Sequence, residues 1–193
     1  MYIKPYAFFV LVPLVAFAAD ALAREAPAGE SKWRIDPAHT EIGFSIDAVG
    51  YPRTVGRFTR FDGRIAIDLD RPDQSSVAFH VQSGSVDVGS ESFSDYLRSG
   101  AFLDATRHPS IDFVSTSVRK VSDHVVQVSG ELTLLGVTKP LTVDVDVTRG
   151  PGGRSLGFEA KAAIDRLAFG MNSGFPLVSR DVDLHIASEA SQL

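Results

Sequence analysis

The chain has 193 residues, no cysteine and a formal net charge of −5. Without cysteine, neither a disulfide framework nor a lipid-modified cysteine is available, so the core alone must hold the fold. The mild acidity argues against nucleic acid as a partner and against an electrostatic grip on anionic membrane surfaces.

The first element in chain order reads as an address rather than as part of a fold. "MYIKPYAFFVLVPLVAFAADALARE" sets Lys4 ahead of an apolar run from Ala7 to Ala19 and closes on the small-residue pattern Ala21-Leu22-Ala23. This is the build of a secretory signal peptide. The run is interrupted by Pro13 and falls short of the roughly 20 apolar residues a membrane span requires, so no stable membrane insertion is expected. An uncleaved anchor is the alternative. The expected organisation is a signal peptide over 1–23, cut between Ala18 and Ala23, a flexible segment over 24–31 and one β-domain over 32–191. A cut after Ala23 leaves about 170 residues, enough for one domain to bury a core without staples.

From Trp33 onward the apolar residues alternate with period two. "EIGFSIDA" puts Ile42, Phe44, Ile46 and Ala48 on one face; "GRIAIDL" does so with Ile65, Ile67 and Leu69; "SVAFHV" with Val77, Phe79 and Val81. Each predicts a half-buried strand. Only "SESFSDYLRSGAFLDATRHP" breaks the pattern. There Ser90 or Ser92 can cap a short helix that spaces Phe93, Tyr96 and Leu97 by three or four residues. Alternation then resumes at Ile111 and Phe113, and continues through Val126, Val128, Leu132 and Leu134 to Leu141, Val143, Val145 and Val147. It closes with Phe158, Ala160, Ala162 and Ile164, then Val182, Leu184 and Ile186. Gly- and Pro-bearing stretches such as "DRPDQ", "GVTKP" and "RGPGGR" separate about eight or nine such runs.

Alternation alone fits a two-sheet sandwich as well as a barrel. Long runs such as "HVVQVSGELTLLG" favour a tall barrel, which also removes the exposed edges a chain without disulfides must otherwise protect.

Five stretches in series resemble the periplasmic YceI-like family: "IDPAHTEIGFSI", "GRFTRFDGRIAID", "YLRSGAFLDATRHPSIDFVS", "GELTLLGVTKPLTVDVDV" and "AAIDRLAFGMN". Asp36 and His39 match the family's opening Asp-x-x-His pattern, and Phe58, Phe61 and Gly63 its Phe-rich segment. Leu97, Phe102 and Pro109 match the connecting helical stretch, Gly136, Thr138, Lys139 and Pro140 the hairpin turn, and Asp165, Arg166, Phe169 and Gly170 its Asn-Arg-x-x-Phe-Gly segment. The chain departs from the family at Ala48, Leu135 and Val88, where polar residues are common, and in having Asp165 for Asn.

The resemblance implies an all-β fold, an elongated eight-stranded antiparallel lipocalin-like barrel with a short helical insertion. It also implies a periplasmic location, no cofactor and no metal, a possible homodimer, and an apolar tunnel holding a polyisoprenoid, an isoprenoid quinone or a similar long-chain lipid. On that basis the expected ligand-binding residues are Phe44, Ile46, Phe58, Phe79, Phe93, Leu97, Phe102, Phe113, Leu132, Leu134, Phe158, Ile164 and Phe169.

Chemistry-bearing patterns are sparse. The five histidines show no metal-ligand spacing, and there is no nucleophile elbow, phosphate loop or dinucleotide fingerprint. Asp165-Arg166 is expected either as an ion pair closing one barrel end or as a solvated pair. Two other function classes stay open: a β-sandwich interaction module with a filled core, and an enzyme using His39 and Asp36 as an acid–base pair.

Overall fold

A computed structural model describes residues 33–192, apart from 67, 69 and 70. The expected signal peptide and the segment 24–31 lie outside the described residues. The strands are β1 (Trp33–Ile35), β2 (Glu41–Ile46), β3 (Thr54–Phe58), β4 (Phe61–Ala66), β5 (Ser76–Gln82), β6 (Val86–Asp87), β7 (Ser110–Lys120), β8 (Val125–Leu134), β9 (Val137–Arg149), β10 (Ser155–Asp165) and β11 (Asp181–Gln192). One α-helix, α1 (Glu91–Arg98), follows β6.

All the strands belong to one antiparallel sheet, in the order β4-β5-β7-β8-β9-β10-β11-β2-β3-β6, with β1 paired to β11 beside that path. The sheet curls so that its two ends meet. β3 runs into β4 through Thr59 and Arg60 alone, and β5 runs into β6 through Ser83–Ser85. Across this seam Thr59 N–H donates to the Ser85 carbonyl (3.1 Å) and Gln82 N–H to the Arg60 carbonyl (3.0 Å). A single curled sheet replaces the two packed layers of a sandwich.

The expected count of eight strands is corrected to ten along the path. The period-two runs did not mark the short strands β3 and β6, which are set off by breaks at Thr59–Arg60 and at Ser83–Ser85. The serines make the second break tolerable. Ser83 Oγ donates to the His108 carbonyl (2.5 Å) and Ser85 Oγ to the Gln82 carbonyl (2.7 Å), so hydroxyls satisfy acceptors where the ladder stops.

Strand direction defines two ends. The turns after β4, β7 and β9 lie at one end, which we call the mouth. At the other, the floor, are α1, the β8–β9 turn and the loop from Arg166 to Arg180. There Val86, Leu97, Leu103, Leu132, Leu134, Phe169 and Met171 pack into a buried cluster. The tight β8–β9 turn holds Leu135 (φ 53°) and Gly136 (φ 73°) in left-handed conformations, as a two-residue hairpin of this twist requires. Leu135 is an uncommon residue there, and it packs against the floor cluster.

Inside the barrel, glycines make room for aromatic rings, Gly56 for Phe44 and Gly130 for Phe113. A Cβ on Gly130 would lie 2.5 Å from the Val114 carbonyl and 2.6 Å from Cζ of Phe113. Gly130 falls on the inward face of β8 between Val128 and Leu132, and the Phe113 ring occupies the space a side chain would take. A bulge between Ser115 and Ser117 then shifts the register of β7 against β8. Inward positions pass from Ile111 and Phe113 to Val118 and Lys120, because one extra residue reverses the parity.

Candidate functional site

The curled sheet encloses a cavity of about 310 Å³ that runs from mouth to floor. Its walls are almost wholly apolar. Of the thirteen residues expected from the sequence, Phe44, Ile46, Phe58, Phe79, Leu97, Phe102, Phe113, Leu132, Leu134, Phe158 and Ile164 line it. Their exposure is informative: Phe44, Phe58, Phe79, Phe113 and Phe158 point inward yet are only half-buried. Rings in a filled core would be sealed by neighbours. These face open space.

Two expected residues do not line the cavity. Phe93 is 38% exposed on the outer side of α1, where it stacks with Tyr96 at 6.5 Å between ring centroids. The buried face of α1 is set by Ser94 and Leu97, three residues apart, and Phe93 falls one step off that face. Phe169 is 5% exposed and packs within the floor cluster beneath the cavity.

Residues outside the expected ligand-binding set close the two ends. At the floor, Arg166 is fully buried and lines the cavity. It makes no pair with Asp165. Its Nε donates to the Ser179 carbonyl (2.6 Å), Nη1 to the carbonyls of Met171 and Ser173, and Nη2 to that of Val178 (2.9 Å). Burial pulls its pKa down from the ordinary value, while the charge of Asp165 opposes the shift. Asp165 instead pairs with Arg180 at 2.7 Å and accepts from the Leu167 N–H at 3.0 Å. The hydrogen bond from Arg180 holds its carboxyl below the usual range. Arg166 therefore pins the floor loop through backbone carbonyls.

At the mouth the lining turns polar, with Asp68, Ser75, Lys120, Ser122, Asp123, His124 and Arg149 around the opening. Lys120 Nζ lies 2.8 Å from Asp123, and this hydrogen bond and charge lower the Asp123 pKa. The signal was present as parity for His124 and Arg149, which continue the inward faces of Val126 and Val147, whereas Lys120 turns inward only because the bulge reverses the parity of β7.

Asp36 and His39 lie outside the cavity. Their side chains meet at 2.7 Å in an exposed turn before β2, where Asp36 also accepts from the Ala38 N–H at 2.9 Å. The shared hydrogen bond lowers the pKa of Asp36 and raises that of His39. Thr40 Oγ1 donates to the Asp36 carbonyl at 2.8 Å, completing the turn. The pair is well suited to fixing this turn, and no cavity surface adjoins it. Among the described residues, no three His, Asp or Glu side chains converge as a metal site.

Residues 33–190 match the YceI-like domain family. A UPF0312 protein of Pectobacterium atrosepticum is 35% identical over 183 residues, covering 93% of this chain and 95% of that protein. Protein YceI of Escherichia coli O157:H7 is 34% identical over 174 residues, covering 88% and 91% respectively. In fold, the chain is similar to Burkholderia cenocepacia BcnA, with a TM-score of 0.76, 24% identity, and coverage of 81% of this chain and 99% of that one. It is similar as well to a polyisoprenoid binding domain from Saccharophagus degradans, with a TM-score of 0.69, 14% identity, and coverage of 85% and 100%. With this family match over nearly the whole described chain and the curled sheet common to its structural neighbours, the chain belongs to the YceI-like domain family.

Proposed function

We propose that this protein is a carrier or storage protein of the periplasm, which sequesters a polyisoprenoid, an isoprenoid quinone or a similar long-chain amphiphile in its apolar cavity. The observation that carries this reading is the row of inward-pointing, half-buried phenylalanines along an open, apolar interior. The Saccharophagus degradans neighbour, a polyisoprenoid binding domain, supports the same class of guest. The signal-like N-terminus supports export.

Burial alone supplies the affinity in this scheme. At ~0.8 kcal/mol per buried CH₂, ten carbons contribute ~8 kcal/mol, the scale of a micromolar complex before ordering costs. Chain length then governs affinity more than hydrogen bonding does. No reaction is assigned, since Asp36 and His39 lie away from the cavity and serve their own turn.

The test is titration of the purified, delipidated protein with a fluorescent polyene or with ubiquinone. Saturable uptake near one molecule per chain is expected. Absence of uptake, with the protein folded by circular dichroism, would contradict the carrier reading.

A further inference from the structure

We propose that the mouth is a head-group site for an anionic amphiphile, whose long apolar chain lies in the cavity and whose carboxylate or phosphate meets Arg149, Lys120 and His124. This inference deepens the carrier reading and rests on it.

Three neighbouring strands make the same change towards the mouth, with Lys120 across from Val126, Val126 across from Val145, and His124 and Arg149 further out. On β9 the inward positions Leu141, Val143, Val145 and Val147 are apolar, and the next is Arg149. On β8, Val128 and Val126 give way to His124 just before the strand begins. On β7, after the bulge, Val118 gives way to Lys120. All three polar residues are exposed and line the cavity. The Val147 N–H donates to the His124 carbonyl at 2.7 Å, which draws the β7–β8 turn against the end of β9 and brings the three groups to one side of the opening.

The carboxylates at the mouth offset Lys120 but leave Arg149 without a carboxylate partner. Asp123 is engaged by Lys120 at 2.8 Å, and Asp68 by Arg71 at 2.9 Å. Among the described residues, Arg149 has neither an ion pair nor a side-chain hydrogen bond. A guanidinium with its donors free can take a carboxylate or phosphate by a bidentate, charge-assisted contact. The floor offers no such site. Four of the five N–H groups of Arg166 are committed to carbonyls, which leaves no fork for a bidentate anion there.

The experiment compares one chain with three heads: geranylgeraniol, geranylgeranoic acid and geranylgeranyl phosphate, each titrated at low and at high salt. The two anions are expected to bind at least about tenfold more tightly than the alcohol at low salt, with the ratio shrinking as salt screens the charges. The order of the acid and the phosphate tells which head the mouth prefers. Arg149→Ala, an exposed change, should bring the ratio toward one. Arg154→Ala, on the same side of the molecule but outside the cavity lining, should leave it intact. Equal affinity for all three ligands would overturn the proposal and leave the carrier reading standing. Binding of none of them would remove both.

Discussion

Arg166 Nε donates to the Ser179 carbonyl at 2.6 Å, and the same guanidinium reaches the carbonyls of Met171, Ser173 and Val178. One side chain thus satisfies four backbone acceptors of the loop that closes the floor. Replacing it by Leu would leave those carbonyls without donors in a buried setting. Arg166→Leu is expected to lower stability by about 3 kcal/mol or more, measured by urea denaturation. Arg166→Lys should rescue little, because three donors on one nitrogen cannot span the fork. Wild-type stability in either variant would refute the pinning role.

The Phe113 ring lies where a side chain on Gly130 would have to go. Gly130→Val is expected to cost about 1–3 kcal/mol through overpacking, read as a lowered thermal midpoint, since the Val114 carbonyl cannot yield without breaking the ladder. Retention of the wild-type midpoint would mean that the ring relocates freely.

Val145 faces inward midway along β9, opposite Ala160 of β10 and Val126 of β8. Val145→Trp should partly block the cavity between mouth and floor. Uptake of a long isoprenoid is then expected to fall at least about tenfold, with the fold retained, because the new ring occupies volume that a guest would otherwise fill. Unchanged uptake would place the guest elsewhere.

The Asp36–His39 pair gives a pH signature. The raised His39 pKa means that its contribution is fully present below the ordinary value of 6.5 and is lost as pH rises through the raised one. The lowered Asp36 pKa means that its contribution is present above 3.8 and is lost as pH falls through the lowered one. The turn is therefore best held between those two ordinary values. A proton NMR titration should find His39 above 6.5, and Asp36→Asn should move it back toward 6.5. A His39 pKa indifferent to that substitution would contradict the pairing.

Much of the cavity wall was legible in the sequence, because period two fixes which residues share a face once a strand is recognised. Phe44, Phe79, Phe113 and Phe158 follow from that rule alone. The rule does not reveal where a ladder breaks. The bulge at Ser115–Ser117, the bend at Thr59–Arg60 and the serine turn before β6 depend on cross-strand register and on hydroxyl bonds to distant carbonyls. Phe93 was misplaced because three- and four-residue spacing in an eight-residue helix admits more than one face, and packing of Ser94 and Leu97 selects the other. Arg166 was misread for a different reason: adjacency in sequence suggested a pair with Asp165, while its real partners are carbonyls up to thirteen residues onward.

The measurement closest to the central claim is native mass spectrometry of the protein isolated from its own cells, followed by solvent extraction. The account predicts one long-chain apolar or amphiphilic molecule per chain, released on extraction and identifiable by its mass. Protein at its bare polypeptide mass that also fails to take up added ubiquinone would contradict it.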